Sequence, residues 1–384
     1  MDLISFQPTD EETAFITLAK TLAEEVLRPA ARSSEEERQA AREWTIKANE
    51  LGFAALELPE RWGGMEMTLI SQAQILEALS NGDLALVQGL PGPGDAASFM
   101  RLAPENQAFA AYRRTGEGGQ WPTVAFLNAC DPGVSQSINI TGASFENGYV
   151  IKGISRPVKM AAFAAYLLLA APGPDGKTRL FWLDKEQTRW RAIPGDYRLG
   201  LLASGWARVQ FDDLTVTKDA VVAEGRDADR LLSRALARLR VLEAAKEVGL
   251  MTAALSYATE YTATRRAFGQ ELAKFQGVSF QMADMAVAVQ AARLLVWRAA
   301  SALDREEPEA PGLSLDALSR AHRSLRLVTD SAVQLLGGHG YVQDHPVEKW
   351  MRDAAAQIAL NGGEQDLLLR RGEQLLTEER ETVS

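Results

Sequence analysis

Cysteine and histidine, which often act as nucleophiles, bases or metal ligands, are scarce in this chain of 384 residues. Cys130 is the only cysteine, so neither an intrachain disulfide nor a cysteine metal cluster can form. The only histidines, His322, His339 and His345, are not spaced as a set of metal ligands. We therefore expect no metal site, and the candidates for chemistry are carboxylates, amides and arginines.

One candidate is an amide near the end of the chain, in the segment IALNGGEQDLL (358–368). Asn361 is a typical N-cap residue, and Glu364 follows at the spacing of a capping box, so the segment predicts the entry to a last helix. A carboxylate can take a proton from carbon, whereas a neutral amide cannot. Asn361 is therefore predicted to cap a helix and not to act as a base.

The composition limits the kinds of partner. The net charge of −10 argues against nucleic acid but allows an anionic ligand held by a few arginines. The N-terminus, MDLISFQPTDEE, lacks the basic and apolar regions of a signal peptide. The longest apolar run, 160–171, is too short to span a bilayer. We expect a soluble cytoplasmic protein with no membrane span.

Helices are predicted in the first part of the chain from apolar residues at helical spacing. Thr9 and Glu12 have the spacing of a capping box before the first helix. A second helix is predicted over 33–52, with Trp44 on its apolar stripe, and a third over 68–82. These helices would position whatever site the chain carries.

Three domains follow from the change of pattern along the chain. We predict a helical domain over 1–120, a β-domain of short apolar strands over 121–225, and a bundle of long helices over 226–384. No glycine-rich turn leads from a strand into a helix, which excludes Rossmann and P-loop folds. The GGHG segment at 337–340 lacks the spacing of either motif.

One long helix of the predicted bundle carries a clear apolar stripe. Its residues at helical spacing are Phe280, Ala283, Val287, Ala291 and Leu294. Helices with such stripes pack together, so we expect this face to lie inside the bundle.

Three segments carry motifs that are long, ordered and correctly spaced. They are LPERWGG (58–64), YTATRRAFGQELAKFQ (261–276) and AVQLLGGHGYVQDHPVEKWMRDA (332–354). They resemble the P-E-x-x-G-G, R-x-x-F-G-x-x-L-x-x-x-Q and Q-x-x-G-G-x-G-Y…P-V-E-(R/K)-x-x-R-D motifs of the acyl-CoA dehydrogenase family. Together with the order of modules, this resemblance covers almost the full chain.

The resemblance implies a mostly α fold with an N-terminal helical domain, a β-barrel-like middle domain and a C-terminal four-helix bundle. It also implies a tetramer built from dimers, with FAD at the interface. In the family, a glutamate removes the α-proton of an acyl-CoA thioester, and the β-hydrogen leaves as hydride to the flavin. A positioned base contributes about 10²–10⁴-fold in rate. Electron-transfer flavoprotein is the usual acceptor.

The resemblance further implies a set of residues that contact the FAD of a dimer mate. The matching residues are Arg265, Phe268, Gln276, Gln334, Gly337 and Gly338. The guanidinium of Arg265 matches a diphosphate ligand, which suits its fixed cationic fork. The two glycines match the segment beside the adenylate, where missing side chains let the backbone approach.

The half of the FAD site that a chain builds for itself departs from the family pattern. The strand usually written T-E-P-x-(A/G)-G-S-D is here ACDPGVSQS (129–137), which keeps Asp131, Pro132 and Gly133. In the next strand, Pro157 replaces the flavin-side tryptophan and Lys159 replaces a hydroxyl residue. We expect the β-fold to survive and its flavin face to be altered.

The catalytic base is missing from both of its usual places. Asn361 stands where the glutamate of (Y/F)-E-G-T is expected, and Leu239 precedes Arg240 where a minority of the family places a glutamate. The remaining candidate is Asp95, in the loop LPGPGDAAS, where a few family members carry a base. A turn residue is the plainer reading of Asp95.

Three functions remain open. The chain can be a supporting subunit of an α₂β₂ complex, which completes the FAD site of a homologous catalytic subunit. It can instead be a self-sufficient, homotetrameric acyl-CoA dehydrogenase with Asp95 as base. A third reading is a protein that binds a CoA ester or a partner without redox chemistry.

Overall fold

The structure is a computed structural model that describes residues 6–116, 120–130, 138–142, 148–194 and 198–383. Residues Asp131, Pro132 and Gly133, which the flavin-side motif retains, lie outside the described residues, as do Gln136 and Ser137. The fold is mostly α with a central β-region, as the sequence predicts.

Seven α-helices lie among the described residues of the N-terminal part. They are α1 (Asp10–Leu22), α2 (Arg28–Glu37), α3 (Arg42–Glu50), α4 (Leu69–Ser80), α5 (Leu84–Gln88), α6 (Ala96–Leu102) and α7 (Ala110–Thr115). The capping box is confirmed, because Thr9 and Glu12 each accept a hydrogen bond from the other's backbone N–H. The single helix predicted over 33–52 is wrong. The chain breaks between α2 and α3 at Arg38, which is left-handed with φ of 55°.

The described residues of the β-region form two four-stranded sheets. Its elements are β1 (Val124–Asn128), β2 (Ile138–Gly142), β3 (Tyr149–Val158), β4 (Tyr166–Pro172), β5 (Thr178–Asp184), α8 (Lys185–Thr188), β6 (Arg191–Pro194), β7 (Ala207–Val216) and β8 (Val221–Glu224). The strand orders are β1-β4-β5-β8 and β2-β3-β7-β6. Only the β1–β4 pairing is parallel among the described strands of these sheets. Side chains such as Ile151, Phe181 and Phe211 form a buried core within this region. The predicted strands are confirmed, but the described strands form no closed barrel.

Long helices make up the C-terminal part. The elements are α9 (Gly225–Thr264), β9 (Arg266–Ala267), β10 (Gln270–Glu271), α10 (Gln276–Asp304), α11 (Ala310–Leu336), α12 (Val347–Leu360) and α13 (Glu364–Val383). Helices α9, α10 and α11 pack on one another, and α13 packs on α11. Helix α9 also crosses α4 at Gly249, where any Cβ would collide with the backbone of Glu77.

The apolar stripe on α10 lies outside the bundle. Phe280, Val287 and Leu294 are 63%, 66% and 53% exposed, whereas the buried face of α10 carries residues such as Met285 and Val289. The expectation that this stripe packs inward is therefore wrong. Between Gln276 and Ala292 the helix has one charged residue, Asp284, so its exposed face carries little charge.

Helix α10 also has the length and composition of a membrane span, which no other helix in the described ranges has. Of that apolar stretch, 44% is buried inside the protein. The core helix of a bundle has the same composition, so this finding is weak support for a membrane contact.

Candidate functional site

A cavity of about 230 Å³ lies between the β-region and the bundle. Strands β1 and β3 contribute Asn128 and Pro157, helix α9 contributes Arg240, and the turn after α12 contributes Asn361. We call it the outer cavity. Its volume falls below the roughly 300–1,000 Å³ that is typical of pockets for drug-sized ligands.

Asn361 faces the outer cavity from the end of a helix. It is the C-cap of α12, and its side-chain amide donates a hydrogen bond to the carbonyl oxygen of Gln357 at 3.0 Å. Gly362 and Gly363 follow with positive φ, and Glu364 is the first residue of α13. The predicted N-cap and capping box are therefore wrong. That Asn361 replaces the catalytic base stays a prediction, which rests on the inability of a neutral amide to accept a proton from carbon.

The ammonium of Lys159, just after β3, lies beside two carboxylates in the cavity wall. Its Nζ atom is 2.6 Å from Asp95 Oδ1 and 2.7 Å from Glu243 Oε1. It also donates to the side-chain oxygen of Gln88 at 3.2 Å. Three acceptors satisfy the three donors of an ammonium group. Burial alone would lower the pKa of Lys159, but the two carboxylates outweigh it and hold the pKa above its usual value.

A second lysine completes this buried cluster. Lys246 Nζ lies 2.8 Å from Glu243 Oε1 and donates to Gln88 at 3.0 Å. Gln357 donates to the other oxygen of Glu243 at 2.8 Å. Burial alone would raise the pKa of Glu243, but the two lysines hold it below its usual range. Two cations face two anions, counting Asp95, so the cluster needs no further charge to balance it.

Asp95 is the loop carboxylate that the sequence offered as a base. It precedes α6, borders the outer cavity and keeps 24% of its side chain exposed. Its Oδ1 atom is the one that Lys159 contacts. This oxygen is therefore already engaged by an ammonium group, and Asp95 is one half of an ion pair.

The third position considered for a base holds an apolar residue. Leu239 is 8% exposed and lines the outer cavity. The next residue, Arg240, lines the same cavity and contacts Ser314 Oγ at 3.5 Å. The structure thus brings Asp95, Arg240 and Asn361 to one cavity, as the resemblance implies.

Sequence reasoning missed Glu243 and Lys246. Both stand on α9 in the segment VLEAAKEV (241–248), among residues that are otherwise apolar. Charged residues at spacings of three and four in an apolar stretch indicate a buried ionic cluster. That signal was present, but it does not show which residue from the β-region joins them.

The six residues matched to a dimer mate's FAD lie elsewhere, on an outer face of the bundle. All except the two glycines have polar or aromatic side chains, and all six are exposed. They stand at the end of α9, in the β9–β10 hairpin, at the start of α10 and at the end of α11. We call this set, namely Arg265, Phe268, Gln276, Gln334, Gly337 and Gly338, the dinucleotide face.

The ends of α9 and α11 are tied together beneath the dinucleotide face. The hydroxyl of Tyr261 lies 2.9 Å from His339 Nδ1 and donates to the Leu336 carbonyl at 3.5 Å. Phe268 is 96% exposed and meets Phe275 edge-on. These contacts hold Arg265 and the glycine segment on one side of the bundle.

The two halves of an FAD site therefore fit the cofactor differently. On the dinucleotide face, a Cβ added at Gly337 or Gly338 would meet no atom within 4 Å, so backbone and Arg265 are open to a phosphate group. In the outer cavity, Pro157 and the ion-paired Lys159 replace aromatic and hydroxyl contacts. Pro157 and Lys159 present neither an aromatic face nor a hydroxyl group to a flavin ring. No group of metal ligands occurs among the described residues.

Comparisons with known proteins identify the family. A family model of the acyl-CoA dehydrogenase N-terminal domain matches residues 9–103, and one of the C-terminal domain matches residues 230–375. The two matches together cover more than half of the chain.

Curated relatives extend the similarity over nearly the whole chain. The chain is 27% identical to the "probable acyl-CoA dehydrogenase FadE25" of Mycobacterium tuberculosis, over 91% of both chains. It is 26% identical to the benzylmalonyl-CoA dehydrogenase of Aromatoleum aromaticum, over 95% of this chain and 97% of the relative.

Solved structures share the fold. Butyryl-CoA dehydrogenase from Megasphaera elsdenii superposes with a TM-score of 0.82 at 23% identity, over 97% of this chain and 100% of that chain. A chain from a study of the electron transferring flavoprotein of Acidaminococcus fermentans gives a TM-score of 0.87 at 25% identity, over 97% and 100%. With the matched domains at both ends, these findings show that the protein belongs to the acyl-CoA dehydrogenase family, oxidoreductases that act on a CH–CH bond of acyl-CoA.

Proposed function

We propose that this chain is a supporting subunit of a heteromeric acyl-CoA dehydrogenase. It would contribute its dinucleotide face to an FAD held mainly by a homologous catalytic subunit. The partner's flavin would accept the hydride, and the partner would supply the base. The observation that carries the proposal is the ion pair of Lys159 with Asp95, in a cavity where Asn361 holds the place of the usual base.

The outer cavity supports the first half of this proposal. Proton removal next to a thioester carbonyl needs a group that can accept a proton within hydrogen-bond reach. The cavity presents an amide at Asn361, an apolar side chain at Leu239 and a carboxylate at Asp95 whose Oδ1 is already held by Lys159. None of the three is an unpaired carboxylate.

The surface of the bundle supports the second half. Arg265 is exposed and can offer a bidentate fork to a diphosphate, and the open backbone at Gly337 and Gly338 can lie against an adenylate. These residues serve a cofactor only when another molecule carries it to this face. In the proposed complex, the dinucleotide face contacts the FAD that is bound by the partner subunit.

The exposed stripe on α10 supports a protein partner. The stripe begins one turn after Gln276, so it is continuous with the dinucleotide face. Phe280, Val287 and Leu294 expose a row of large apolar side chains of the kind that interfaces bury. Helices that bind membrane surfaces carry lysines and arginines beside such a row, and this face has none between Gln276 and Ala292. The partner we propose is a homologous subunit in an α₂β₂ complex.

The electron acceptor follows from the family. A relative of similar fold comes from work on an electron transferring flavoprotein. We propose the same class of acceptor for the partner's reduced FAD.

The test is the flavin content of the purified protein. The chain is produced alone and together with a homologous acyl-CoA dehydrogenase encoded beside it, and the FAD absorbance is measured for both preparations. We expect no bound flavin for the chain alone, and half a flavin per chain in the complex, bleached by an acyl-CoA substrate. A yellow homo-oligomer bleached by acyl-CoA would instead establish a self-sufficient enzyme. A complex that binds acyl-CoA but no flavin would establish a non-redox protein.

A further inference from the structure

A second cavity lies directly behind the outer one. It has a volume of about 110 Å³, and we call it the inner cavity. The two cavities share four lining residues, which therefore form the wall between them: Asp95, Phe126, Lys159 and Leu239. The Lys159–Asp95 ion pair thus stands in the partition.

The inner cavity is suited to apolar groups. Its walls come from α4, α5, the loop before Asp95 and α9, and most of the lining side chains are apolar, for example Phe53, Leu79, Val87 and Leu242. The polar residues that border it are already hydrogen-bonded. Glu57 is held by Arg238 at 2.6 and 2.9 Å, and Lys246 by Glu243. A hydrocarbon chain that crossed the wall would therefore gain an apolar surrounding.

Lys159 holds the wall closed through short polar contacts at its tip. Its ammonium bridges from the β-region to the loop before α6 through Asp95, and to α9 through Glu243. Only 11% of the Lys159 side chain is exposed. To open the wall, the ammonium would have to leave both carboxylates, which would leave charges unpaired in a buried place.

We infer that Lys159 and Asp95 form a plug that separates the outer cavity from the inner, apolar one, so this chain cannot seat the hydrocarbon chain of an acyl-CoA. The inference rests on the proposed function and extends it. A chain that cannot bind the acyl group would contribute to the reaction only through its partner subunit. Lys159 is a specificity residue here, since its side chain excludes a ligand by occupying the passage.

The test compares the affinities of the isolated full chain for octanoyl-CoA and acetyl-CoA, measured by calorimetry. These ligands differ only in hydrocarbon length, so their ratio reports entry into the inner cavity. Each buried methylene strengthens binding by about fourfold. We expect a ratio near one for the wild type, because the added methylenes stay outside the inner cavity. A ratio of about ten or more in the wild type would show an open channel and overturn the inference.

The variant Lys159→Thr/Asp95→Ala removes one charge of each sign and leaves Glu243 with Lys246. We expect the octanoyl-to-acetyl ratio of this variant to rise at least about tenfold. The matched control is Lys152→Thr/Asp213→Ala, which removes an exposed ion pair of 3.2 Å between β3 and β7. The control should keep the wild-type ratio. A folded Lys159→Thr/Asp95→Ala protein with an unchanged ratio would overturn the inference.

The two proposals fail in different ways. If the chain made alone carries a reducible flavin, the proposed function fails whatever the affinity ratio is. If the ratios contradict the plug while the complex still holds half a flavin per chain, only the plug is wrong. Thermal unfolding of each variant is recorded, because the wild-type ratio decides the question if the double variant does not fold.

Discussion

The ammonium of Lys159 lies 2.6 Å from the carboxylate of Asp95, although 64 positions separate the two residues in the chain. The contact joins the β-region to the loop before α6 at the wall of the outer cavity. It converts a carboxylate that borders a candidate active site into one half of an ion pair. The first prediction follows from this relationship.

Replacing Asp95 by asparagine should leave acyl-CoA oxidation by the complex within about twofold of the wild type, because the proposed function assigns the base to the partner. Lys159 keeps Glu243 as an ionic partner in this variant. The measurement is the rate at which substrate bleaches the flavin of the purified complex. A drop of about a hundredfold or more, with the complex intact, would identify Asp95 as the base.

Replacing Arg265 by glutamine should lower the FAD content of the complex. A hydrogen bond to a charged group contributes about 1.5–3 kcal/mol, so the FAD dissociation constant should rise about tenfold to a hundredfold. The matched control is Arg266→Gln, because Arg266 is the exposed neighbour whose guanidinium pairs with Glu271 at 2.6 Å. FAD release is followed by fluorescence. An equal loss of FAD from both variants would mean that Arg265 has no specific role in binding FAD.

Replacing Val287 by lysine should weaken association with the partner subunit at least about tenfold, because a charge would enter the apolar stripe of α10. Val287 is 66% exposed, so the variant should fold normally on its own. The control is Leu376→Lys, at a leucine that is 58% exposed on α13. Sedimentation of the mixed subunits measures the association. Partner binding that tolerates lysine at 287 would place the interface elsewhere.

Replacing Lys349 by methionine should destabilise the folded chain by about 3–5 kcal/mol, because it leaves two buried aspartates unpaired. Lys349 Nζ lies 2.5 Å from Asp83 Oδ2 and 2.7 Å from Asp353 Oδ2, and all three side chains are at most 2% exposed. The control Lys47→Met removes an exposed pair with Glu43 and should cost at most about 1 kcal/mol. Denaturant unfolding compares them. If both variants lost a similar amount of unfolding free energy, Lys349 would not stabilise the fold by balancing the charges of Asp83 and Asp353.

His322 should make the bundle less stable as pH rises above neutral. Its Nδ1 atom lies 2.9 Å from Glu247 Oε1, between α11 and α9. Burial alone would lower the pKa of His322, but Glu247 raises it above the ordinary value, and burial raises the pKa of Glu247. Both groups therefore hold protons more tightly in the folded state.

The stabilisation from the raised pKa of His322 is thus complete below about pH 6.5 and is lost as pH rises through the folded pKa of His322. The melting temperature of the wild type should fall as pH rises above about 6.5, and that of His322→Gln should fall less. His339→Gln serves as the control, at a histidine that contacts Tyr261 instead of a carboxylate. If the melting temperatures of the wild type and His322→Gln changed in parallel with pH, His322 would not be the cause of the fall.

Local signals in the sequence predicted local structure well. The capping box of Thr9 and Glu12 and the helix over 68–82 depend on neighbours a few residues apart, and both are found. The strands were predicted from short apolar segments for the same reason. The break at Arg38 was missed because helix-forming residues continue through it.

Placement in three dimensions was harder to predict. Helical spacing shows that α10 has an apolar stripe but not whether the rest of the chain covers it, so Phe280 and Val287 were assigned to the wrong side. Asn361 can cap the end of one helix or the start of the next. It caps the end of α12 because Gly362 and Gly363 follow it with positive φ, as is common after the C-terminus of a helix. The partners of Lys159 lie 64 and 84 positions away, beyond any local pattern.

The outward row of Phe280, Val287 and Leu294 bears on how cells make this protein. If the partner subunit covers this row as proposed, a newly synthesised chain without the partner would display it to chaperones, to proteases and to other copies of itself. Orphan copies would be prone to aggregate or to be degraded, so balanced synthesis of the two polypeptides favours assembly. The supply of one subunit would then set how much of the other survives.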